Sequence, residues 1–296
     1  MIPTRVAFAG ERGAFAEEAA RALWPDADTV SVRSVIDVTR AIQRGEVDAG
    51  VLPVENSVAG GVTAAYDALN EAEQLHAIAE TILEIRQCLV GVRGATIEGV
   101  RVVSSHPVAL AQCARFLRGL SDAREEVAPD TASAARGVAE RGDVSYAAIA
   151  SRHAAARYGL VVLAERVEDR HDNQTRFLGI GREAAALAPG IAARTSLVFA
   201  TPNEPGALLR VLEPIASNGL NLSKLESRPT GEPWTYRFFA DLDHVSGDAT
   251  LTRVLEAVRQ ATRTCRVLGT YARAGVEARP TSADTRQPLA PHPGLP

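Results

Sequence analysis

The 296-residue chain is poor in lysine, cysteine and aromatic residues. Lys224 is its only lysine, and arginine supplies the remaining basic groups, a bias typical of a GC-rich genome. The three cysteines, Cys88, Cys113 and Cys265, are odd in number and far apart. That spacing argues against a disulfide framework or a structural zinc site.

Long hydrophobic runs are also missing. No run of about 18 apolar residues occurs, and no apolar signal core follows Met1, so we expect neither export nor a membrane span. The net charge of -4 gives no reason to expect nucleic acid or an anionic membrane surface. With 46% apolar and 23% charged residues, the composition indicates a soluble globular protein, and we expect a cytoplasmic location.

What is present is an alternation of short apolar runs and helical patterns from residue 5 to residue 181, which is typical of an α/β sheet protein. The order predicts two α/β lobes, in which the chain crosses to the second and returns to the first. Predicted strands lie at 6–9, 29–32, 48–54, 100–104, 146–150 and 175–180, and further apolar segments lie at 78–85, 89–92 and 161–163. Predicted helices lie at 13–23, 35–44, 64–69 with a start near 60–61, 108–117, 131–140 and 152–158.

The rest of the chain divides into a linker, a small domain and a tail. Residues 183–194 are rich in alanine and contain Pro189-Gly190, as expected of a linker. Residues 195–273 show the strand-helix-strand-strand-helix-strand order of a split βαβ domain. Residues 274–296 are rich in proline with few large apolar groups, so we expect a disordered tail.

Residues 173–177 combine an amide, a hydroxyl, a guanidinium and an aromatic ring. In an extended strand Asn173, Thr175 and Phe177 share one face, and Arg176 points to the other. A hydroxyl beside an amide suits a small anionic ligand better than a packed core. The alternative is a strand end whose arginine pairs with a surface carboxylate, and the motif alone leaves both open.

Further polar side chains stand where predicted strands end and helices begin. They are Glu55, Asn56, Ser57, Ser105, His106 and Thr131. Each could simply cap a helix. Ligands of α/β sheets, however, bind beyond the carboxyl ends of strands, beside helix N-termini. Because such groups occur in both predicted lobes, we expect them to face one cleft.

Taken together, the chain resembles prephenate dehydratases that carry a C-terminal ACT regulatory domain. The resemblance covers about residues 5–272 and rests on an ordered set of motifs. They are residues 10–15, 53–57, 105–107 with 112–113, 130–132, 158–160, 173–177, 206–208 and 226–229. Ala14 and Ala16 depart from the hydroxyl residues that relatives often have in the first turn, so only backbone amides could serve there.

The resemblance implies a two-lobed, periplasmic-binding-protein-like (type II) α/β catalytic region at 1–182, with lobes at about 1–80 plus 160–182 and at 81–159. A βαββαβ ferredoxin-like ACT domain follows at 195–273. The implied reaction converts prephenate to phenylpyruvate, water and carbon dioxide, with feedback by phenylalanine bound between subunits of a homodimer or homotetramer. No cofactor, metal, nucleic acid or membrane is implied.

The resemblance and the polar positions together predict the site residues. The catalytic residues are Thr175, Arg176 and Phe177. The substrate-binding residues are Glu55, Asn56, Ser57, Ser105, His106, Thr131 and Asn173. The effector-binding residues are Asn203, Pro205, Gly206, Ala207, Leu208, Glu226, Ser227 and Arg228.

The residue types suggest a role for each catalytic position. Thr175 is the preferred donor to the departing hydroxyl, ahead of Glu55 and His106. Arg176 either holds an anion or braces the site, and Phe177 is expected to be structural. Two other readings stay open: arogenate dehydratase, which performs the same elimination on the transaminated substrate, and a non-catalytic sensor of a small molecule.

Overall fold

The structure, a computed structural model, describes residues 2–230 and 235–275. The strands in chain order are β1 (Arg5–Ala9), β2 (Asp28–Val32), β3 (Ala49–Asn56), β4 (Gly60–Gly61), β5 (His76–Glu84), β6 (Cys88–Gly91), β7 (Val102–Ser105), β8 (Arg124–Val127), β9 (Tyr146–Ala150), β10 (Val161–Ala164), β11 (Gln174–Gly181), β12 (Ala192–Ala200), β13 (Asn221–Pro229), β14 (Tyr236–Val245) and β15 (Thr264–Ala272). The helices are α1 (Phe15–Leu23), α2 (Val35–Gln43), α3 (Thr63–Glu71), α4 (Pro107–Gln112), α5 (Ala114–Arg118), α6 (Thr131–Arg141), α7 (Arg152–Tyr158), α8 (Ala207–Ser217) and α9 (Ala249–Ala261).

Three sheets organise the described residues, as the predicted alternation requires. Lobe 1 is built on the sheet ordered β2-β1-β3-β11-β5, with β4 paired to β3, and lobe 2 on the sheet ordered β10-β6-β9-β7-β8. The chain leaves lobe 1 after β5 and returns along β11. This confirms the two-lobed α/β architecture. The C-terminal unit is the antiparallel sheet β13-β14-β12-β15 with α8 and α9, which confirms the βαββαβ order.

The lobes present the carboxyl ends of parallel strands to the cleft between them. In lobe 1, β1 is parallel to β2 and β3, whereas β11 runs antiparallel to β3 and β5. In lobe 2, β7 is parallel to β8 and β9. The start of β11 therefore lies beside the end of β3.

Several predicted elements differ from those in the structure. A helix was predicted to begin near Gly60 and Gly61, but these residues pair with β3 as a short strand, and α3 begins at Thr63. The predicted helix 108–117 is divided at Cys113 into α4 and α5. Strand β8, with the sequence Arg-Glu-Glu-Val, was missed because its exposed, charged residues carry no apolar alternation.

Strand β12 begins at Ala192, inside the segment predicted as a linker. The predicted domain limits stay predictions. The predicted tail lies outside the described residues from residue 276 onward.

The C-terminal unit packs one face of its sheet on its own helices and the other on lobe 1. Val211, Ile215, Val254 and Val258 form the helix side of its core. On the opposite side, a cluster joins the sheets of the two units. Its members include Tyr66, Leu69, Leu75, Val198, Phe239, Leu268 and Tyr271. Catalytic region and C-terminal unit thus share one hydrophobic core.

Candidate active site

The pairing of β3 with β11 places Asn56 opposite Thr175 at the cleft end of lobe 1. Asn56 Nδ2 donates to Thr175 Oγ1 at 2.9 Å and to Asn173 Oδ1 at 2.7 Å. Asn56 Oδ1 accepts from the backbone amides of Val58 and Ala59, which fixes the orientation of its side chain. Because the Thr175 hydroxyl accepts from Asn56, its own proton remains for donation to another group.

Asn173 connects the two lobes. Its side chain is buried, and its Nδ2 donates to Gln112 Oε1 of α4 at 3.1 Å. Asn173 therefore orients the Asn56 side chain through a hydrogen bond. The sequence predicted that Asn173 would contact the substrate directly. Gln112 belonged to a motif of the resemblance, but residue type and spacing gave no reason to assign it a role.

Ser57 ties the β3–β4 hairpin to the returning strand. Its hydroxyl donates to the Asp172 carbonyl at 3.0 Å and accepts from the Gln174 amide at 2.9 Å. The Ser57 amide also donates to the Gln174 carbonyl at 2.8 Å. These bonds hold the segment before Thr175 against the end of β3.

Arg176 lies on the opposite face of β11 from Thr175, as strand alternation predicted. Its Nη2 is 2.6 Å from Asp241 Oδ2, its Nη1 is 3.5 Å from Glu55 Oε2, and its Nε is 3.7 Å from Glu80 Oε1. Burial would lower the pKa of the Arg176 guanidinium, but Asp241, acting together with Tyr66, Tyr271 and Glu80, raises that pKa. Arg176 and Glu55 thus contact each other and the C-terminal unit, and the bracing role of Arg176 is the one that the geometry supports.

The same buried charge cluster acts on Glu80. Burial raises the pKa of the Glu80 carboxyl, although Arg194 and Arg176 oppose the rise. Arg194 Nη1 donates to Glu80 Oε1 at 2.6 Å. Sequence pattern identified neither Glu80 nor Asp241, because each stands on a strand with no neighbouring polar motif.

Phe177 is buried beneath Thr175. Its side chain is 2% exposed and packs in a cluster with Phe15 and Leu83. Leu83 is the register partner of Thr175 on β5, so this cluster forms the floor below the hydroxyl. Phe177 therefore has the structural position expected of it.

Two predicted residues of lobe 2 lie at the end of β7. Ser105 is fully buried, and its hydroxyl donates to the Ile149 carbonyl at 2.7 Å. The hydroxyl thus joins β7 to β9, and the expected substrate contact of Ser105 stays a prediction. His106 caps α4, where its Nδ1 accepts from the Val108 amide at 3.3 Å.

Thr131 is the first residue of α6, and Asp130 caps that helix. Asp130 Oδ1 accepts from the Ser133 amide at 2.7 Å. Asp130 also approaches the glycine turn of lobe 1: a Cβ placed on Gly10 would stand 3.6 Å from its Oδ2. Thr131 is thus at the mouth of the cleft, where the lobes face each other.

The lobes touch directly at the turn before α1. Ser151 Oγ donates to the Gly13 carbonyl at 3.2 Å, and Tyr158 Oη donates to the Arg12 carbonyl at 2.5 Å. Gly13 has a φ of +93°, and a Cβ there would stand 3.0 Å from the Ala154 Cα. Only glycine permits both this backbone conformation and so close an approach between the lobes.

Two cavities flank the lobe junction. The larger, about 600 Å³, is lined by Phe15, Glu18, Leu83, Glu84, Arg86, Cys88, Ser151, Arg152, His153, Ala156, Glu165 and Arg166. The second, about 400 Å³, is lined by Val58, Ala59, Val108, Ala111, Gln112, Glu168, Asp169, Arg170 and Asn173. Both cavities have acidic and basic side chains on their walls, so each carries cationic groups that can contact a carboxylate.

The predicted effector residues gather at one end of the C-terminal sheet. Arg228 of β13 pairs with Arg237 of β14, which pairs with Ala200 at the end of β12. The turn that carries Asn203, Pro205 and Gly206 follows directly and leads into Ala207 and Leu208 of α8. Because β14 lies between β13 and β12, the two motifs are about two strand spacings, or roughly 9.6 Å, apart across the sheet.

Within the second effector motif, alternate residues face different neighbours. Glu226 Oε2 is 3.1 Å from Lys224 Nζ, and Arg228 donates to Asp67 of lobe 1 at 3.3 Å. Ser227 is exposed. Part of this motif therefore contacts the catalytic region.

Residues 2–230 and 235–275 contain no helix that is long and apolar enough to cross a membrane. The same ranges contain no cluster of three or more His, Cys, Asp or Glu side chains arranged to hold a metal ion.

Family models match most of the chain. The model described as Prephenate dehydratase matches residues 6–185, and the model described as ACT domain matches residues 195–260. A prephenate dehydratase of Amycolatopsis methanolica is 38% identical, with 93% of this chain and 91% of that protein covered. Arogenate dehydratase/prephenate dehydratase 2 of Arabidopsis thaliana, a chloroplastic protein, is 37% identical over 90% of this chain and 72% of its own.

Solved structures agree over the full length of the described fold. Prephenate dehydratase from Arthrobacter aurescens in complex with L-Phe superposes with a TM-score of 0.85 at 34% identity, covering 94% of this chain and 93% of that one. GqqA, described as a novel type of quorum quenching acylase, superposes with a TM-score of 0.84 at 32% identity, covering 92% and 98%.

Proposed function

This chain belongs to the prephenate dehydratase family, and from that premise we propose that it converts prephenate to phenylpyruvate, water and carbon dioxide. One observation carries the proposal: the hydrogen-bonded set Asn56, Thr175, Asn173 and Gln112 at the lobe junction. It holds the hydroxyl of Thr175, a residue that is 8% exposed, by an amide at the junction of the two lobes. Such a site suits an elimination that needs a directed proton.

Apart from this proton donor, the reaction needs the protein mainly to orient the substrate. The bond from the ring to its carboxylate breaks, its electron pair moves through the ring, and the bond to the ring hydroxyl breaks, leaving an aromatic product. The departing hydroxide takes a proton and leaves as water. Thr175 donates toward that oxygen by a hydrogen bond or as a relay, since an alcohol is a weak acid. The lobes close on the substrate and fix its orientation.

Replacing Thr175 tests this role. Thr175→Ala should lower kcat for prephenate about 10²-fold or more, because the donor is lost. Thr175→Ser is the matched control: it keeps the hydroxyl and should retain most of the turnover. Steady-state formation of phenylpyruvate measures both variants. Near-normal turnover by Thr175→Ala would remove the threonine from the mechanism.

Arogenate is the second candidate substrate. The Arabidopsis relative carries both activities in its name, and the two substrates differ by one keto or amino group remote from the ring. Assaying prephenate and arogenate side by side, with and without phenylalanine, decides between them. Turnover of neither would favour the remaining alternative, a small-molecule sensor.

One structural neighbour, GqqA, is described as an acylase. The cysteines of the two lobes do not have the lowered thiol pKa that a nucleophile for acyl transfer needs. Burial raises the pKa of the Cys88 thiol, and it raises that of Cys113 to about 12. A nucleophilic cysteine needs a lowered pKa. Neither residue is therefore an activated thiolate.

The regulatory proposal is that phenylalanine binds between the C-terminal units of neighbouring subunits and favours a less active arrangement. The effector motifs predicted at 203–208 and 226–228 and the L-Phe complex of the Arthrobacter structure support it. Phenylalanine should raise the melting temperature of the full chain, as any ligand selective for the folded state does. Unchanged melting and unchanged turnover at millimolar phenylalanine would contradict this.

We also propose a homodimer or homotetramer working in the cytoplasm. Strand β13 ends the sheet order β13-β14-β12-β15, so its outer edge is unpaired within the sheet. Leu225 on that strand and Leu209 on α8 are exposed, which suits pairing with a second copy. Light scattering on the purified protein measures the oligomeric state, and a monomer at micromolar concentration would contradict it.

A further inference from the structure

Thr175 and Arg176 lie beside a shift in the register between β11 and β3. Thr175 pairs with Asn56 and Arg176 with Glu55, but Phe177 pairs with Pro53, so the register shifts immediately after Arg176. A β-bulge interrupts the ladder and re-aims the side chains near it. The extra residue, Val54, lies in β3, whereas β11 keeps a regular register with β5 from Gln174 to Gly179. The ladder is therefore interrupted only on the side that faces Asn56, and side-chain contacts on both faces of β11 add to the intact ladder with β5.

On the cleft face, Asn56 supplies such a contact. On the other face, the contacts come from Arg176, whose side chain is 10% exposed. Its Nη2 donates to Asp241 Oδ2 at 2.6 Å and to Tyr66 Oη at 3.1 Å. A buried charge needs a hydrogen-bonded partner of opposite sign, and Asp241 is the carboxylate nearest to Arg176.

Asp241 belongs to β14 of the C-terminal unit and is itself fixed there. Its side chain is 1% exposed, and its Oδ1 accepts from Ser196 Oγ of β12 at 2.5 Å. Ser196 Oγ is also 2.6 Å from Tyr271 Oη of β15. The carboxylate is thus held by neighbouring strands of a rigid sheet and points into lobe 1.

We propose that Asp241 is a positioning residue for the dehydratase reaction: it fixes Arg176, and through Arg176 it holds the first residues of β11 so that Thr175 meets Asn56. The inference rests on the proposed function. It makes the C-terminal unit part of the catalytic structure, because one of its carboxylates braces the catalytic strand.

The test compares two isosteric substitutions in the full chain, Asp241→Asn and Asp243→Asn. Asp243 lies two residues further along β14 and is 11% exposed, but its Oδ1 accepts from Arg194 Nε at 2.7 Å within the C-terminal unit. Each variant removes from the same strand one carboxylate that pairs with an arginine. The matched pair therefore separates loss of a paired carboxylate from loss of the brace on β11.

Asp241→Asn should lower kcat for prephenate about tenfold to a hundredfold while KM changes less than about threefold, since misplacing a catalytic group slows the chemical step. It should also speed amide hydrogen exchange in peptides covering residues 174–178. Asp243→Asn should keep kcat within about twofold and leave that exchange unchanged. Equal kcat and equal exchange in the two variants would overturn the proposal.

Two further outcomes are decisive. If the unaltered protein does not turn over prephenate, the proposed function falls. The exchange comparison alone then decides whether Asp241 holds β11. If Asp241→Asn does not fold, Ser196→Ala replaces it, because that variant keeps both charges and removes the bond that orients Asp241 together with the Ser196–Tyr271 contact. A smaller fall in kcat with faster exchange at 174–178 supports the brace, and no change in either overturns it.

Discussion

Glu17 shows how one buried residue can substitute for a missing helix cap. Ala14 precedes α1 and offers no side-chain hydrogen bond, but Glu17 Oε2 accepts from the Gly13 amide at 2.6 Å. Its Oε1 accepts from Thr29 Oγ1 at 2.9 Å and from Arg21 Nη2 at 3.1 Å. Burial would raise the pKa of Glu17, yet these hydrogen bonds outweigh burial and lower it to about 2.

The lowered pKa predicts a pH-dependent contribution to stability. A carboxyl with a pKa of about 2 in the folded state and 4.5 when unfolded stabilises the fold above pH 4.5 by about 3 kcal/mol. That stability is lost as the pH falls through about 2. Glu17→Gln should therefore lower the free energy of unfolding by about 2 to 3 kcal/mol at pH 7, and the difference should shrink between about pH 4.5 and pH 2.

Urea unfolding at a series of pH values measures this difference. Glu213→Gln, on the exposed surface of α8, is the control and should change stability by less than about 0.5 kcal/mol at pH 7. A Glu17→Gln effect of equal size at pH 7 and pH 3 would contradict the assigned pKa.

At the scale of single residues, strand alternation was enough to predict that Arg176 and Thr175 point to opposite faces of β11. It could not identify the partner of Arg176, because Asp241 is 65 residues away along the chain. Nor could it show that Ser105 is buried, since a capping serine and a sheet-joining serine look the same in sequence.

Among the elements, β13 is the one that reaches from the effector motifs to the catalytic hairpin. Lys224 on this strand is buried, with its Nζ 3.1 Å from Glu226 Oε2 and 3.5 Å from Glu55 Oε2. A Cβ on Gly61, which pairs with Glu55, would stand 2.4 Å from Glu226 Oε2. The β3–β4 hairpin therefore has no room to move independently of Glu226.

This contact predicts that Lys224 couples the effector motif to turnover. Lys224→Gln should reduce the fold-change in turnover caused by phenylalanine at least about threefold, because Glu226 and Glu55 lose their shared cation. Lys224→Arg keeps the charge and should retain most of the response. Titration of turnover with phenylalanine measures both. An unchanged response in Lys224→Gln would show that coupling runs elsewhere.

In the molecule as a whole, β15 locks the C-terminal unit onto lobe 1. Arg266 donates to backbone carbonyls at and beyond the end of α3, those of Leu69, Asn70, Ala72, Glu73 and Leu75. Gly269 permits backbone contact with β5, since a Cβ there would stand 2.1 Å from the Ala77 carbonyl oxygen. Charge and shape thus hold the two units together.

Gly269→Ala should separate these sheets and lower the free energy of unfolding by about 2 kcal/mol or more, because the clash is with backbone that cannot rotate away. Gly137→Ala is the matched control: it lies inside α6 with open space around its Cα and should stabilise the protein by about 0.5 to 1 kcal/mol. Thermal unfolding measures both. Equal effects would show that the β15–β5 contact is not tight.

Periodicity and turn residues were enough to predict most elements, the two lobes and the βαββαβ unit, whereas the candidate site residues also needed the resemblance to the family. The elements and their order depend on local preference, which a short window of residues contains. The docking of the C-terminal sheet on lobe 1, the bracing of Arg176 and the link from Glu226 through Lys224 to Glu55 depended on the folded chain. Each joins residues far apart in sequence, and their contacts exist only after the shared core of lobe 1 and the C-terminal unit has packed.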